Sequence, residues 1–220
     1  VTTGAQGTKW LGLPGEDLLG VYHAKDLVYH YNKLPPFSQR EYQIGKRVAL
    51  VGVGNVMMDI ARWVIRDLKA GEVVAVARRG PAEVKFTKKE MEHIAANLDV
   101  AALDSELARC RPFMEAVGQD VAAAREYILS GLPKALEAVS QTRFHFDFLA
   151  SPARMLGDAA RRTGEGRARL VAWTLCSRQA RGRRRRTRNR RVRANGWSWV
   201  ALPTAMMFRR RPIRATPVVC

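Results

Sequence analysis

The sequence contains a glycine-rich turn of the kind that binds the pyrophosphate of a dinucleotide. Glycine at its first position allows a tight turn, and glycine at its second position lets the backbone approach a phosphate without a Cβ in the way. A helix that starts after such a turn directs free N–H groups and a favourable dipole at the anion. The candidate pyrophosphate-binding residues are Gly52, Val53, Gly54, Asn55 and Val56.

A pair of arginines is placed to distinguish between the two nicotinamide cofactors. Arg78 and Arg79 follow Gly54 by 24 and 25 residues, and no acidic residue lies between Ala75 and Pro81. An acid at this point would bind the ribose 2′-hydroxyl of NAD, whereas guanidinium groups pair with the 2′-phosphate of NADP. The pair therefore predicts NADP, with a solvated pair of loop charges as the alternative.

The elements around the turn form one βαβ unit. "KRVALVGVG" is a continuous apolar run typical of a buried strand, and "GEVVAVA" is a second one. Between them, residues 55–69 carry apolar side chains at helical spacing. This context makes the glycine pattern more specific, although its third position is Met57, where Gly or Ala would favour close helix–strand packing. The alternative is a glycine turn in an α/β domain that binds nothing.

Further helices and a strand are predicted outside this βαβ unit. Together they predict an α/β fold, a Rossmann-like parallel sheet with flanking helices. A short helix is predicted at 23–32, and Thr87 and Glu90 have the spacing of a capping box at the start of another helix. Residues 104–138 are predicted to be helical. "RFHFDFLASP" alternates phenylalanine with polar residues, which predicts a strand that Pro152 ends.

The positive charge of the chain is concentrated in its last quarter. The formal net charge is +18, yet residues 1–160 hold 20 basic against 19 acidic residues. Residues 161–220 hold 18 arginines, no lysine and one acid, Glu165, with no periodic pattern. We expect this tail to lack regular structure and to result from a frameshift near residues 158–166. A functional basic arm is the alternative.

Several classes of chemistry have no sequence support. The three cysteines lack CxxC spacing and the four histidines lack HxxxH or HExxH spacing, so no metal site is predicted. No run of 18 apolar residues and no signal peptide are present, and we expect a cytoplasmic protein without membrane contact. His93 is interpreted as a solvated helix residue, and Asp59 as a favourable acid near a helix start.

Three stretches in the same order resemble the NADP-binding domain of adrenodoxin-reductase-type ferredoxin–NADP reductases. They are "GVGNVMMDIAR", "ARRGPAEVKFTKKE" and "SPARMLGD". The small subunit of glutamate synthase is a more distant relative, and "TTGAQGTKWLGLPGEDLLGVYHAKDLVYHYN" resembles the junction where the chain leaves the FAD domain. The resemblance implies a connector over 1–40, an NADP-binding domain over 41–160 and a tail over 161–220.

The resemblance also implies an activity and the residues that serve it. The family passes electrons between NADPH and a ferredoxin-like iron–sulfur carrier through FAD. In this sequence, residues 53–56 would lie along the NADP pyrophosphate, Arg78 and Arg79 would hold the 2′-phosphate, and Glu90 would also contact the nucleotide. Thr3, Gly4 and Ala5 resemble a segment beside the flavin. Because hydride transfer between nicotinamide and flavin relies on positioning, no catalytic side chain is assigned.

The family needs two nucleotide sites, and this sequence supplies one glycine turn of the required kind. The chain also begins without methionine. We therefore expect the middle part of a longer flavoenzyme, with most of the FAD site outside this chain. Two alternatives remain open: a basic nucleic-acid-binding protein that uses residues 161–220, which we consider the weaker hypothesis, and a non-catalytic module that senses NADP.

Overall fold

The computed structural model describes residues 10–18, 20–157, 170–177 and 190–201, with side chains described up to residue 155. Thr3, Gly4 and Ala5 lie outside the described residues, as does most of the 161–220 tail. No helix in the described part of the chain has both the length and the apolar composition needed to cross a membrane.

A single mixed sheet organises the described residues. The strands are β1 Val21–His23, β2 Arg47–Val51, β3 Glu72–Val76, β4 Arg143–Asp147, β5 Ala150–Gly157, β6 Leu170–Ser177 and β7 Arg190–Ala201. Their order is β4-β3-β2-β7-β6-β5, with β1 paired to β7. Strands β4, β3, β2, β7 and β1 pair in parallel, whereas β6 is antiparallel to both of its neighbours, β5 and β7. The parallel part with its helices confirms the predicted α/β fold.

The described residues form five α-helices, and buried side chains of all five pack in the core on one face of the sheet. The helices are α1 Ala24–Tyr31, α2 Asn55–Arg66, α3 Lys88–Glu92, α4 Val100–Glu115 and α5 Val121–Leu129. Helix α2 directly connects β2 to β3, and its buried side chains recur at helical spacing: Met57, Ile60, Ala61, Val64 and Ile65 are all fully covered.

The predicted helical region at 104–138 was wrong in its bounds. Helix α4 begins earlier, at Val100, because the Asp99 side chain accepts the Ala102 N–H and caps the helix. The region is then divided at Gly118, which has a φ of 71°. Asp120 caps α5 by accepting the N–H groups of Ala122 and Ala123.

Pro152 does not end the last predicted strand. The chain turns at Leu149, whose φ is 51°, and β5 then runs through Pro152 along the edge of the sheet. The pairing register shifts between Pro152 and Arg154. An edge strand with an irregular register tolerates proline because the missing N–H leaves no ladder hydrogen bond broken.

Two segments of the tail also differ from expectation, since β6 and β7 lie within residues predicted to lack regular structure. Their sequences, "LVAWTLCS" and "RRVRANGWSWVA", contain the β-branched and aromatic residues that favour strands. Strand pairing uses backbone groups, so it does not require the periodic side-chain pattern that the tail lacks. The rest of the tail lies outside the described residues.

The core lies between α2, α4, α5 and one face of the sheet. Phe144, Phe146 and Phe148 are all buried, as their alternation predicted. Ala24 and Leu27 of α1 belong to the same core. The N-terminal helix is therefore packed on the sheet through its apolar face.

A part-buried carboxylate joins helix α4 to the end of β4. Glu106 is 12% exposed and accepts hydrogen bonds from Arg109 Nε at 2.7 Å and from the Phe148 N–H at 2.6 Å. Arg109 in turn donates to the Phe148 carbonyl oxygen. The Phe148 backbone is thus held by side chains of a single helix.

Replacing Glu106 with alanine is expected to lower the free energy of unfolding by about 2–3 kcal/mol, because a part-buried N–H and a guanidinium lose their acceptor. Urea denaturation followed by circular dichroism measures this. Glu115→Ala is the control, since Glu115 lies on the same helix in an exposed pair with Arg111 at 3.9 Å. That change should cost less than about 0.5 kcal/mol. Equal losses for the two variants would contradict the assigned role of Glu106.

Candidate nucleotide-binding site

The glycine turn lies where β2 ends and α2 begins. Gly52 has a φ of 135° and donates its N–H to the Val76 carbonyl at 2.9 Å, which ties the turn to β3. Gly54 is the N-cap of α2, and its carbonyl accepts the Met58 N–H at 3.2 Å. The N–H groups of residues 55–57 precede this first helical bond and point out of the helix end. They form a backbone surface suited to an anion.

The two glycines are required for different reasons. The left-handed conformation of Gly52 disfavours any side chain at that position. Gly54 has an extended backbone that any residue can adopt, and a Cβ built on it would meet no atom within 4 Å. The chain therefore leaves open space beside Gly54 that the fold itself does not use. Met57, the departure from the glycine pattern, is fully buried and packs in the core.

A second segment borders the turn. Lys85 donates its N–H to the Val53 carbonyl at 2.8 Å, and Thr87 donates its N–H to Asn55 Oδ1 at 2.8 Å. Residues 85–87 are thus attached to both sides of Gly54. The Asn55 side chain positions this segment, while Val56 is 48% exposed beside it.

The predicted capping box at α3 forms only in part. Thr87 Oγ1 accepts the Glu90 N–H at 3.4 Å, so Thr87 is the N-cap as expected. The reciprocal bond is absent from the hydrogen bonds of the described residues, because the Thr87 N–H already donates to Asn55. A contact between residues 32 positions apart has no local sequence signal.

The arginine pair lies at the same edge of the sheet as the glycine turn. Val51 and Val76 are register partners on adjacent parallel strands, so Gly52 and Arg78 leave the sheet side by side. Hydrogen bonds to residues 147–150 fix the backbone after β3. The Ala77 N–H donates to the Asp147 carbonyl at 2.8 Å, the Ala77 carbonyl accepts the Ala150 N–H at 2.8 Å, and the Arg79 carbonyl accepts the Leu149 N–H at 3.2 Å. The Arg78 side chain is exposed, and that of Arg79 is half-buried. The structure therefore brings together the two groups that the sequence placed about two dozen residues apart.

Glu90 lies in a cluster that the sequence did not indicate. Its Oε2 is 3.5 Å from His93 Nδ1, and both atoms are buried without a hydrogen-bond partner among the described residues. Burial, and then the Glu90 carboxylate, raise the pKa of Asp59 on α2. His93 is only 21% exposed, so its interpretation as a solvated residue was wrong. The helical spacing of Glu90 and His93 could have indicated their contact. The distance between Asp59 and Glu90 depends on how α2 packs against α3, which the local sequence does not show.

The described part of the chain contains no cluster of metal ligands, and its one described cysteine side chain is a buried thiol. No group of three or more His, Cys, Asp or Glu residues there could hold a metal ion. The Cys110 thiol is unpaired and buried, and burial raises its pKa to about 12, which keeps it protonated.

The fold and this edge of the sheet define an α/β domain of the Rossmann-like type. No protein-family model matches the chain. The chain is 31% identical to the NADPH-ferredoxin reductase FprA of Mycobacterium tuberculosis over 176 residues, which cover 70% of this chain and 39% of the relative. It is 27% identical to the mitochondrial NADPH:adrenodoxin oxidoreductase of Arabidopsis thaliana over 181 residues, covering 70% of this chain and 38% of that protein.

The structural comparison agrees with these relatives. The solved structure of M. tuberculosis FprA in complex with NADPH is similar with a TM-score of 0.60 and 25% identity, covering 92% of this chain and 48% of that chain. Over the aligned residues, the chain is similar to the adrenodoxin-reductase-type family of FAD- and NADP-dependent oxidoreductases. It spans less than half the length of the relatives it matches.

Proposed function

We propose that this chain provides the NADPH site of a flavin-dependent reductase that passes electrons between NADPH and a ferredoxin-like iron–sulfur carrier. The observation that carries the proposal is the position of the glycine turn and the arginine pair at one edge of the sheet. The relatives are named for NADPH and for ferredoxin or adrenodoxin, and FprA has been solved with NADPH.

The residues at this edge fit the nucleotide. The open space beside Gly54 admits a phosphate close to the backbone, and the N–H groups at the start of α2 are suitable donors. Arg78 and Arg79 follow the adjacent strand and would hold the 2′-phosphate. Glu90 lies on helix α3, which is attached to the turn through Thr87 and Asn55, and from there it would contact the nucleotide.

A bound flavin would supply the chemistry that accepts hydride from NADPH and releases single electrons to an iron–sulfur carrier. In the proposed enzyme, this chain binds NADPH and fixes its orientation. The described residues contain one dinucleotide turn, so the flavin would be bound mainly by residues other than these. Thr3 and Gly4 are expected to lie beside it. We place the connector at 1–40 and the NADP-binding domain at 41–160.

We infer a reducing compartment such as the cytoplasm. The few cysteines have no spacing typical of disulfide frameworks, and Cys110 is a free, buried thiol.

Titration of the chain with NADPH and with NADH tests the proposed function. Two charge-assisted contacts to the 2′-phosphate are worth about 3 kcal/mol together, so NADPH should bind about 100-fold more tightly than NADH. Isothermal titration calorimetry measures both dissociation constants at one ionic strength. Equal affinities would exclude the 2′-phosphate site, and binding of neither nucleotide would exclude the function.

A further inference from the structure

Lys85 lies opposite Gly54 in a short backbone pairing at the glycine turn. The two residues form an isolated parallel β-bridge, and the Lys85 N–H donates to the Val53 carbonyl at 2.8 Å. Neighbouring segments paired in this way are about 4.8 Å apart. The Lys85 backbone is therefore fixed beside the residue at which the pyrophosphate is expected.

The bridge also fixes the direction in which the Lys85 side chain leaves the backbone. Residues paired in a parallel bridge have their side chains on the same face, and successive residues alternate between faces. Phe86 is 1% exposed and lies in the core, whereas Lys85 and Thr87 are exposed. The Lys85 Cβ therefore lies on the side where a Cβ on Gly54 would lie. That side is open, because a Cβ built on Gly54 meets no atom within 4 Å.

The fold does not use the Lys85 ammonium group. Within the described part of the chain, this group makes no ion pair, cation–π contact or hydrogen bond. Lys88 differs, since its Nζ lies 5.6 Å from the centre of the Tyr127 ring on α5. The Tyr127 hydroxyl in turn donates to the Phe86 carbonyl at 2.8 Å. Lys88 is thus directed at α5, while Lys85 remains available to a ligand.

A pyrophosphate at the turn would require a positive charge that the turn itself lacks. Each of its two phosphates carries a negative charge, whereas the N–H groups at the start of α2 are neutral and the helix dipole amounts to about half a charge. Among residues 52–57 and 85–87, which border the turn, Lys85 is the one residue with a cationic side chain. Arg78 and Arg79 follow the adjacent strand and are assigned to the 2′-phosphate.

We propose that Lys85 is a further nucleotide-binding residue, whose ammonium group pairs with the pyrophosphate at Gly54. This inference rests on the proposed function, because it requires the pyrophosphate to lie at the glycine turn. An ammonium group is a compact charge with three donors on a flexible stem, so it can serve both phosphates. Lys85 therefore raises the affinity for NADPH and NADH alike, whereas the arginine pair distinguishes between them.

Lys85→Met tests this role, because methionine keeps an unbranched side chain and removes the charge. The probes are NADPH, which carries a pyrophosphate and a 2′-phosphate, and 2′-AMP, which carries the 2′-phosphate alone. We expect the variant to bind NADPH about 10-fold more weakly, and 2′-AMP less than about two-fold more weakly. Isothermal titration calorimetry at one low ionic strength measures both dissociation constants, since salt screens such a contact.

Three further variants complete the design. Lys85→Arg keeps the charge and should bind NADPH within about three-fold of the wild type. Lys88→Met makes the same change on the lysine held over Tyr127, and should weaken NADPH binding by less than about three-fold. Lys85→Gln repeats the test with a polar side chain. Because Lys85 is exposed, all variants at this position should melt at the wild-type temperature.

The outcomes separate this inference from the proposed function. Wild-type NADPH affinity in Lys85→Met and Lys85→Gln would overturn the role of Lys85 alone. Equal losses for NADPH and 2′-AMP, or for Lys85→Met and Lys88→Met, would also overturn it, because the effect would then arise from net charge. Absence of NADPH binding by the wild-type chain would overturn the proposed function and this inference with it.

Discussion

Replacing Arg78 and Arg79 together by alanine is expected to weaken NADPH binding by about 100-fold, while NADH binding changes by less than about three-fold. Each guanidinium would lose one or two charge-assisted hydrogen bonds to the 2′-phosphate, worth about 1.5 kcal/mol or more apiece. NADH lacks this phosphate, so its affinity should change only through the weak long-range effect of removing two positive charges. The two nucleotides should then bind with nearly equal affinity.

The control for this variant removes two positive charges from another place. Arg66 ends helix α2, about 16 Å from the glycine turn, and Lys69 lies just beyond it. Arg66→Ala combined with Lys69→Ala should leave the preference for NADPH intact. If the arginine variant and this control lost the same affinity, the effect would arise from net charge, and the 2′-phosphate role would be wrong.

Replacing Gly54 by alanine is expected to abolish tight NADPH binding without unfolding the protein. The added methyl group meets no atom within 4 Å, and the backbone of Gly54 is extended. Alanine is a poorer N-cap than glycine, but it also lowers the entropy of the unfolded chain, so the free energy of unfolding should change by less than about 1 kcal/mol. The methyl group would instead occupy the space expected for the pyrophosphate, and the affinity should fall by about 30-fold or more.

Gly52→Ala provides the contrast. Its φ of 135° strains any side chain, so this variant should lose about 1–3 kcal/mol of stability whether or not a nucleotide binds there. Thermal melting and NADPH titration of both variants separate the two glycines. Normal NADPH affinity in Gly54→Ala would show that the open space beside Gly54 is not the phosphate site.

Much of this site could be predicted from short sequence windows. The apolar runs at β2 and β3 and the helical spacing within α2 depend on neighbouring residues, so a βαβ unit follows from the sequence alone. Once that unit is assigned, the positions of Gly54 and Arg78 follow, because adjacent parallel strands end at the same edge of a sheet. The alternation of Phe144, Phe146 and Phe148 predicted the buried face of β4 for the same reason.

The sequence also contains local signals for the division between α4 and α5. Gly118 and Asp120 are typical residues for ending one helix and capping the next, and they divide the region predicted as helical at 104–138. Pro152 favoured the end of a strand, but proline is also found in edge strands. Whether β5 lies at an edge depends on the order of strands in the sheet, which a short window does not contain.

The sequence by itself determined which residues could bind a phosphorylated dinucleotide, because turn chemistry and hydrophobic periodicity act over a few neighbouring residues. Only the tertiary structure decided what supports them. Asn55 accepts a hydrogen bond from Thr87 across 32 positions, and the Glu90 carboxylate, 31 positions from Asp59, adds to burial in raising the pKa of Asp59. These contacts form because α2 and α3 pack together, and the free energy of that packing comes from apolar side chains elsewhere on the helices. Polar residues joined in this way leave no periodic trace in the sequence.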